Sequence, residues 1–422
     1  MPHRKEFCSH HAFELFQALY GVSGVKTAPA RYGRLEKEFF RHYGQGAYRI
    51  FSAPGRTEIG GNHTDHNAGR VLAAAVSLDT LAAARPNGSG VIRLRSEGFA
   101  GEFVVDLSVL QPVPEETGAT PALIRGVAAR MAELGFRIGG FDCWVTSTVL
   151  RGSGLSSSAA FEVLIAAVLD GLFNTSDMDA KVRAQTARYA ENVFFGKPCG
   201  LMDQMASSVG GLVAIDFADD TQPQVKKVPF DFAGTGYHLV VTDTGGSHAD
   251  LTDEYAAIPR EMHAVAEALG ADKLRRVNQD QFWRQLPKLR QRVSDRALLR
   301  AMHFFGDNDR VTMQVQALID GDMEAFFSHV IQSGESSWKL LQNCAVGGST
   351  EQGVTLALAI SEKLLRGRGA WRVHGGGFAG TIQAFVPQSV LMDYLEGMER
   401  VFGPKACTVL SVRQPGAMEV VL

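Results

Sequence analysis

Three short stretches of the chain hold residue types suited to chemistry. The run Gly152-Ser153-Gly154-Leu155-Ser156-Ser157-Ser158-Ala159-Ala160 joins glycines, which let a backbone approach a ligand closely, to hydroxyls that bond phosphate oxygens or ligate Mg²⁺. At the start of a helix such a run is an anion cradle, because the first backbone N–H groups lack internal partners and lie at the positive end of the dipole. It also reads as a plain serine cap after a glycine turn. No Gly-Lys-Ser/Thr ending follows, so this is not a Walker A loop. Residues 54–69 form the second stretch, where Arg56, Asn62, His63, Asp65 and His66 supply the donors and acceptors that a polyhydroxylated ligand needs. Residues 196–205 form the third. They include Asp203, which on the residues alone reads first as a helix cap and second as a carboxylate able to take a hydroxyl proton.

The flanking patterns say which elements position these groups. Residues 141–150 alternate in polarity, as a half-buried strand does, and residues 160–171 repeat apolar positions at helical spacing, so the Gly/Ser run opens a helix. Residues 48–53 and 71–77 read as strands, which makes 54–69 a connector of about 16 residues without structure of its own. A helix over 121–135, a helix over 179–195 ending near Glu191, and strands over 210–217 and 238–244 follow, with a domain change near 230–238. Residues 260–345 are helical in pattern, with Trp283 and Trp338 expected as packing anchors. A glycine cluster at 375–380 leads into a strand over 382–386.

Composition bounds the function class. At 422 residues and 45% hydrophobic, the chain can form two or three domains with sizeable cores. A net charge of −3 leaves no basic footprint, so nucleic acid is not an expected partner. Five scattered cysteines without C-x-x-C spacing argue for a reducing compartment and against a zinc site. No apolar stretch reaches the length of a membrane span, no secretory signal pattern is present, and a cytoplasmic monomer is expected.

Gly55-Arg56 followed by Gly61-Asn62-His63-Thr64-Asp65-His66-Asn67 resembles the galactokinase signature G-R-x-N-x-I-G-E-H-T-D-Y-N. The Gly-Leu-Ser-Ser-Ser-Ala run resembles the ATP loop of the wider family of galactokinase, homoserine kinase, mevalonate kinase and phosphomevalonate kinase. Gly196-Lys197-Pro198-Cys199-Gly200-Leu201-Met202-Asp203-Gln204 resembles G-x-P-C-G-I-M-D-Q, and Gly375-Gly376-Gly377-Phe378-Ala379-Gly380 resembles G-G-G-F-G-G.

The resemblance implies a two-lobed α+β fold. An N-terminal lobe like ribosomal protein S5 domain 2 is expected over 1–235, and a ferredoxin-like C-terminal lobe over 236–422. It implies ATP on Gly152, Ser153, Gly154, Leu155, Ser156, Ser157, Ser158 and Ala159, and Mg²⁺ on a serine hydroxyl such as Ser157 together with Glu191. Asp203 and Arg56 would be catalytic, and Asn62, His63, Asp65 and Tyr255 would read a small sugar. The expected product is a sugar 1-phosphate, with galactose as first choice.

The departures lie at the sugar. Asn62 stands where the family has Glu, His66 where it has Tyr, and Glu58 where it has Asn. Asn62 facing C6 would tolerate a uronic acid such as galacturonate, and arabinose is a further alternative. The C-P-E-L-D motif is absent, since Cys344 is followed by Ala345-Val346-Gly347-Gly348. A non-catalytic ATP and sugar sensor is the other class, disfavoured by the intact serine run and Asp203.

Overall fold

The computed structural model describes residues 7, 9–150, 154–176, 178–219, 221–246, 251–378 and 380–422. Gly152 and Ser153 of the phosphate-loop expectation therefore lie outside the described residues.

Two sheets organise the chain. The first contains β1 (Arg49–Gly60), β2 (Arg70–Pro86), β3 (Val91–Ser96), β4 (Phe103–Asp106), β5 (Phe141–Ser147), β6 (Leu212–Asp216) and β7 (Gln224–Val228). The second contains β8 (Tyr237–Asp243), β9 (Ala370–Val373), β10 (Thr381–Pro387) and β11 (Cys407–Leu410), and β12 (Met418–Val420) returns to the first. Strand order in the first sheet is β12-β1-β2-β5-β3-β4, with β6 also on β2 and β7 on β6. In the second it is β11-β8-β10-β9, antiparallel throughout.

Strand period explains the layering. Phe51, Ala82 and Ala84 face one way and share a core with Ile124, Val127, Leu164 and Val168 of the helices Thr120–Glu133 and Ser157–Phe173. Ile50, Leu81 and Ala83 point the other way, against Phe16, Leu19, Tyr32 and Phe39 of the helices His10–Gly24 and Ala28–Tyr43. With both faces covered, β2 is nearly continuously apolar. The second sheet is covered likewise, by the helices Gly353–Leu365 and Leu391–Phe402 on one face. On the other face it shares a core with Val311, Leu318, Phe326 and Val330 of the helices Asp295–Asp320 and Met323–Ser336.

Three expectations change. Residues 54–60 are not loop, because β1 runs through them, pairing with β2 across irregularities at Pro54/Arg56 and Glu58/Gly60. Such bulges admit a proline and glycines that would otherwise end a strand. The lobes also do not divide at one point in the chain. β8 does open the second sheet at 237, but the last residues cross back: Val420, Glu419 and Met418 pair with Ile50, Phe51 and Ser52. Trp283 and Trp338 are not buried anchors; they are 48% and 40% exposed. Among the described residues, no helix is long and apolar enough to cross a membrane.

Candidate active site

Asp203 is the second residue of the helix Met202–Val209, two past the cap residue Leu201, so its carboxylate is not used as a cap. Arg56, on β1, meets it with two parallel hydrogen bonds, Nε to Oδ1 at 2.7 Å and Nη2 to Oδ2 at 2.6 Å. This bidentate, charge-assisted geometry fixes both planes. Ser156 donates to Oδ2 at 2.6 Å, and Arg56 Nη1 donates to the Gly154 carbonyl. Burial works to raise the Asp203 pKa; Arg56 and Ser156 outweigh it, and the carboxyl is held below its ordinary value.

The helix behind the serine run starts at Ser157, as the spacing implied, and Ser156 stands at its cap with left-handed φ/ψ of 57° and 67°. A non-glycine residue rarely takes this conformation. Here it turns the hydroxyl to Asp203 and away from the helix, and no side chain caps the helix start. Those first N–H groups are thus available to an anion. Beside them opens a cleft of about 620 Å³ lined by Ser157 and Ser158 and by the apolar Phe103, Leu123, Val149 and Phe161.

Below this loop Ser158 turns its hydroxyl to Glu191, at 3.3 Å from Oε1. Glu191 sits in a π-helical turn, Ala190–Phe195, that ends the preceding helix. Lys197 Nζ lies 3.1 Å from Oε1, and Gln204 Nε2 donates to Oε2 at 2.8 Å. Gln204 also donates to the fully buried Glu162 at 3.2 Å, whose carboxyl is pushed well up by burial and by Glu191.

A second cavity, of about 160 Å³, adjoins Asp203 and is lined by Arg56, Glu58, His63, Asp65, His66 and Gly376 among others. His63 Nε2 is 3.0 Å from the Gly376 carbonyl, an acceptor, so Nε2 carries the proton and Nδ1 is an acceptor. Burial, with His66 beside it, lowers the His63 pKa to about 4 and keeps the ring neutral. The carboxylate of Asp65 accepts from the His66 backbone at 3.0 Å.

Two expected sugar contacts lie elsewhere. Asn62 is fully buried, and both ends of its amide are spent within the protein. Its Nδ2 donates to Glu58 Oε1 at 2.9 Å and to the Gly375 carbonyl at 2.8 Å, while Oδ1 accepts from Asn343 at 2.8 Å and Ser337 at 3.2 Å. It braces the loop and does not face the cavity, so the argument for a uronic acid at Asn62 falls away. Tyr255 donates to the Gly377 carbonyl at 2.9 Å and lies edge-on to Phe378, with ring centroids 5.3 Å apart. It packs under the glycine turn and is not among the cavity's lining residues. The turn needs its glycines. At Gly377, φ is 80° and an added Cβ would come within 2.1 Å of the Asn343 carbonyl oxygen.

Several site groups had no sequence signal. Arg372, fully buried, donates to Glu58 Oε1 at 2.8 Å and to the Ile59 carbonyl at 2.6 Å. Asp307 accepts from the backbone N–H groups of Gly61 and Asn62 at 3.1 and 2.9 Å. His303 donates through Nε2 to the Asn62 carbonyl at 2.9 Å. The bidentate arginine–carboxylate pair, the uncapped helix start and the polar cavity thus adjoin one another.

Comparison with known proteins agrees. The galactokinase galactose-binding signature matches residues 37–86, and the N-terminal domain of the GHMP kinases matches residues 122–211. The solved Lactococcus lactis galactokinase complexed with galactose superposes at a TM-score of 0.80 and 21% identity, covering 92% of this chain and 99% of that one. Methanococcus jannaschii mevalonate kinase superposes at 0.62 and 14% identity, over 87% and 99%. The fold is that of the GHMP kinases. The galactokinase of Streptomyces coelicolor is 31% identical over 92% of this chain and 98% of its own length, and that of Homo sapiens 30% identical over 90% and 94%. The chain belongs to the galactokinase family.

Proposed function

We propose that the protein transfers the γ-phosphoryl group of ATP to the anomeric hydroxyl of galactose, giving galactose 1-phosphate and ADP. The observation that carries this is the Arg56–Asp203–Ser156 cluster, which joins the polar cavity to the helix start beside the larger cleft. The triphosphate lies along the uncapped N–H groups and Ser157 and Ser158, with the nucleoside in the apolar part of that cleft. The sugar lies in the smaller cavity against His63 Nδ1 and Asp65, its O1 toward Asp203.

The bond from O1 to the γ-phosphorus forms as the bridging bond to the β-phosphate oxygen breaks. Asp203, held ionised, is a weak base; it orients the hydroxyl first and accepts its proton late in the transfer. Arg56 fixes that carboxylate and balances charge beside the phosphoryl group. Tyr255 acts through the glycine turn and not on the sugar.

Glu191 and Ser158 would hold Mg²⁺. Their oxygens are hard donors, and the ammonium of Lys197 at 3.1 Å shows that this carboxylate accommodates a cation. The ion's contribution would be to neutralise charge on the β- and γ-phosphates.

The test is ATP-dependent phosphorylation screened over galactose, galacturonate, glucuronate, arabinose, talose and N-acetylgalactosamine. Galactose should be turned over. If ATP and a sugar both bind and none is phosphorylated, the kinase assignment fails.

A further inference from the structure

Glu58 is 4% exposed and lies in the wall of the sugar cavity, two residues along β1 from Arg56. Its two oxygens are treated differently. Oε1 is saturated, taking Arg372 Nη2 at 2.8 Å and Asn62 Nδ2 at 2.9 Å. Oε2 takes no hydrogen bond from any described residue, yet it is not sealed in the interior. Buried carboxylate oxygens ordinarily find donors, and an open one facing a polar cavity wants a hydroxyl.

The positioning is rigid. Arg372 also holds the Ile59 carbonyl, and Asn62 is pinned by Asn343, Ser337 and Gly375. The carboxylate plane is therefore fixed before a ligand arrives, which lowers the ordering cost of binding. The sequence places an acid at 58 and an amide at 62, and in the fold the two side chains touch, the amide serving as the brace and the acid as the exposed end.

We propose that Glu58 is a substrate-specificity residue whose Oε2 accepts a hydrogen bond from a ring or C6 hydroxyl of the sugar. This rests on the sugar-kinase assignment above. With Asp65 and Asp203 in the same wall, a third carboxylate also makes the cavity selective for neutral sugars over uronic acids, which would bring a like charge against it.

The experiment first measures galactose turnover by the unmodified protein, which tests the kinase assignment by itself. Then kcat and KM are measured for galactose and its 2-, 3-, 4- and 6-deoxy analogues, in the unmodified protein and in Glu58→Gln. The glutamine carbonyl must face Arg372 and Asn62, so its NH₂ points into the cavity, a donor where an acceptor stood. The expected result is a KM for galactose raised about tenfold to a hundredfold, kcat changing far less, and KM for ATP unmoved. In addition, the one deoxy sugar that lacks the bonded hydroxyl is discriminated by the unmodified protein and no longer by the variant.

The proposal is overturned if every galactose-to-deoxygalactose ratio is the same in both proteins, or if galacturonate is used as well as galactose. A galactose-bound crystal structure of the unmodified protein decides the matter without any variant. A sugar oxygen within about 3.2 Å of Oε2 supports the proposal, and none within about 3.5 Å refutes it.

Discussion

Ser156 gives its hydroxyl to Asp203 at 2.6 Å while standing at the cap position of a helix that it does not cap. Replacing a serine at a helix start by alanine ordinarily costs about 1 kcal/mol through the lost cap. Here no cap bond is lost, and Ser156→Ala should cost stability only through the lost bond to the Asp203 carboxylate, about 1.5 kcal/mol. It should lower kcat about tenfold to a hundredfold, because a charge-assisted bond that orients the reacting carboxylate is gone. Thermal unfolding and steady-state kinetics on one preparation decide this. An unchanged kcat would mean that the hydroxyl does not orient Asp203.

Asp203 and Arg56 act as a unit. Asp203→Asn should abolish turnover and leave ATP affinity nearly unchanged, as read by nucleotide titration. Substantial residual turnover would remove Asp203 from the reaction. Arg56→Lys keeps the charge and loses the fork, and kcat/KM should fall by about a hundredfold or more.

The same pair sets a pH signature. With its pKa held down in the folded protein, Asp203 is ionised throughout the neutral range, so its protonation adds no acid limb to kcat near neutrality. The stability this pairing contributes is present above the ordinary carboxylate pKa and is lost only as pH falls through the lower, folded value. In Arg56→Gln, the largest opposition to burial is gone and an acid limb should move up toward neutrality. An unchanged profile in that variant would show that Arg56 does not set the charge state of Asp203.

Glu58 should titrate in the opposite sense. Burial raises its pKa to about 7, against the pull of Arg372 and Arg56, with Asp65 and Asp307 adding to the rise. The accepting carboxylate is therefore present above that value and lost as pH falls through it, and KM for galactose should rise from pH 8 to pH 6. The trend should vanish in Glu58→Gln. It should persist in His66→Asn, which removes the exposed imidazole at the rim, while His63 stays neutral over the whole interval.

Asn62→Glu would place a carboxylate against Glu58 Oε1 and beside Asp307, at a fully buried position. It should destabilise the fold by about 3 kcal/mol or more, measured by denaturant unfolding, and confer no new preference among sugars. A stable variant with altered sugar choice would put Asn62 in the cavity wall.

The loops were legible in the sequence because each breaks the pattern around it. Serines directly before an apolar helix, and Gly375, Gly376 and Gly377 before a strand, serve a ligand or a close approach and not a core. The bracing behind them was not legible. Arg372 and Glu58 are 314 residues apart in the chain, and Asp307 and Asn62 are 245 apart; nothing local marks either partner. The resemblance makes Asn62 a sugar contact, and only packing shows that its amide is already fully used. The strand through Pro54 and Gly55 was hidden for a related reason, since bulges permit in β1 the residues that usually announce a loop.

The pairing of residues 418–420 with residues 50–52 bears on how the chain is made. β1, the strand that holds Arg56 and Glu58, borders β2 on one side and β12 on the other. During synthesis the strand emerges early, but the partner for its outer edge is made about 370 residues later. For most of translation that edge is open, so the first lobe is also the last to be completed. Arg56 is made at the start of this interval and Asp203 well inside it, and the strand that carries Arg56 gains its second neighbour only at the end.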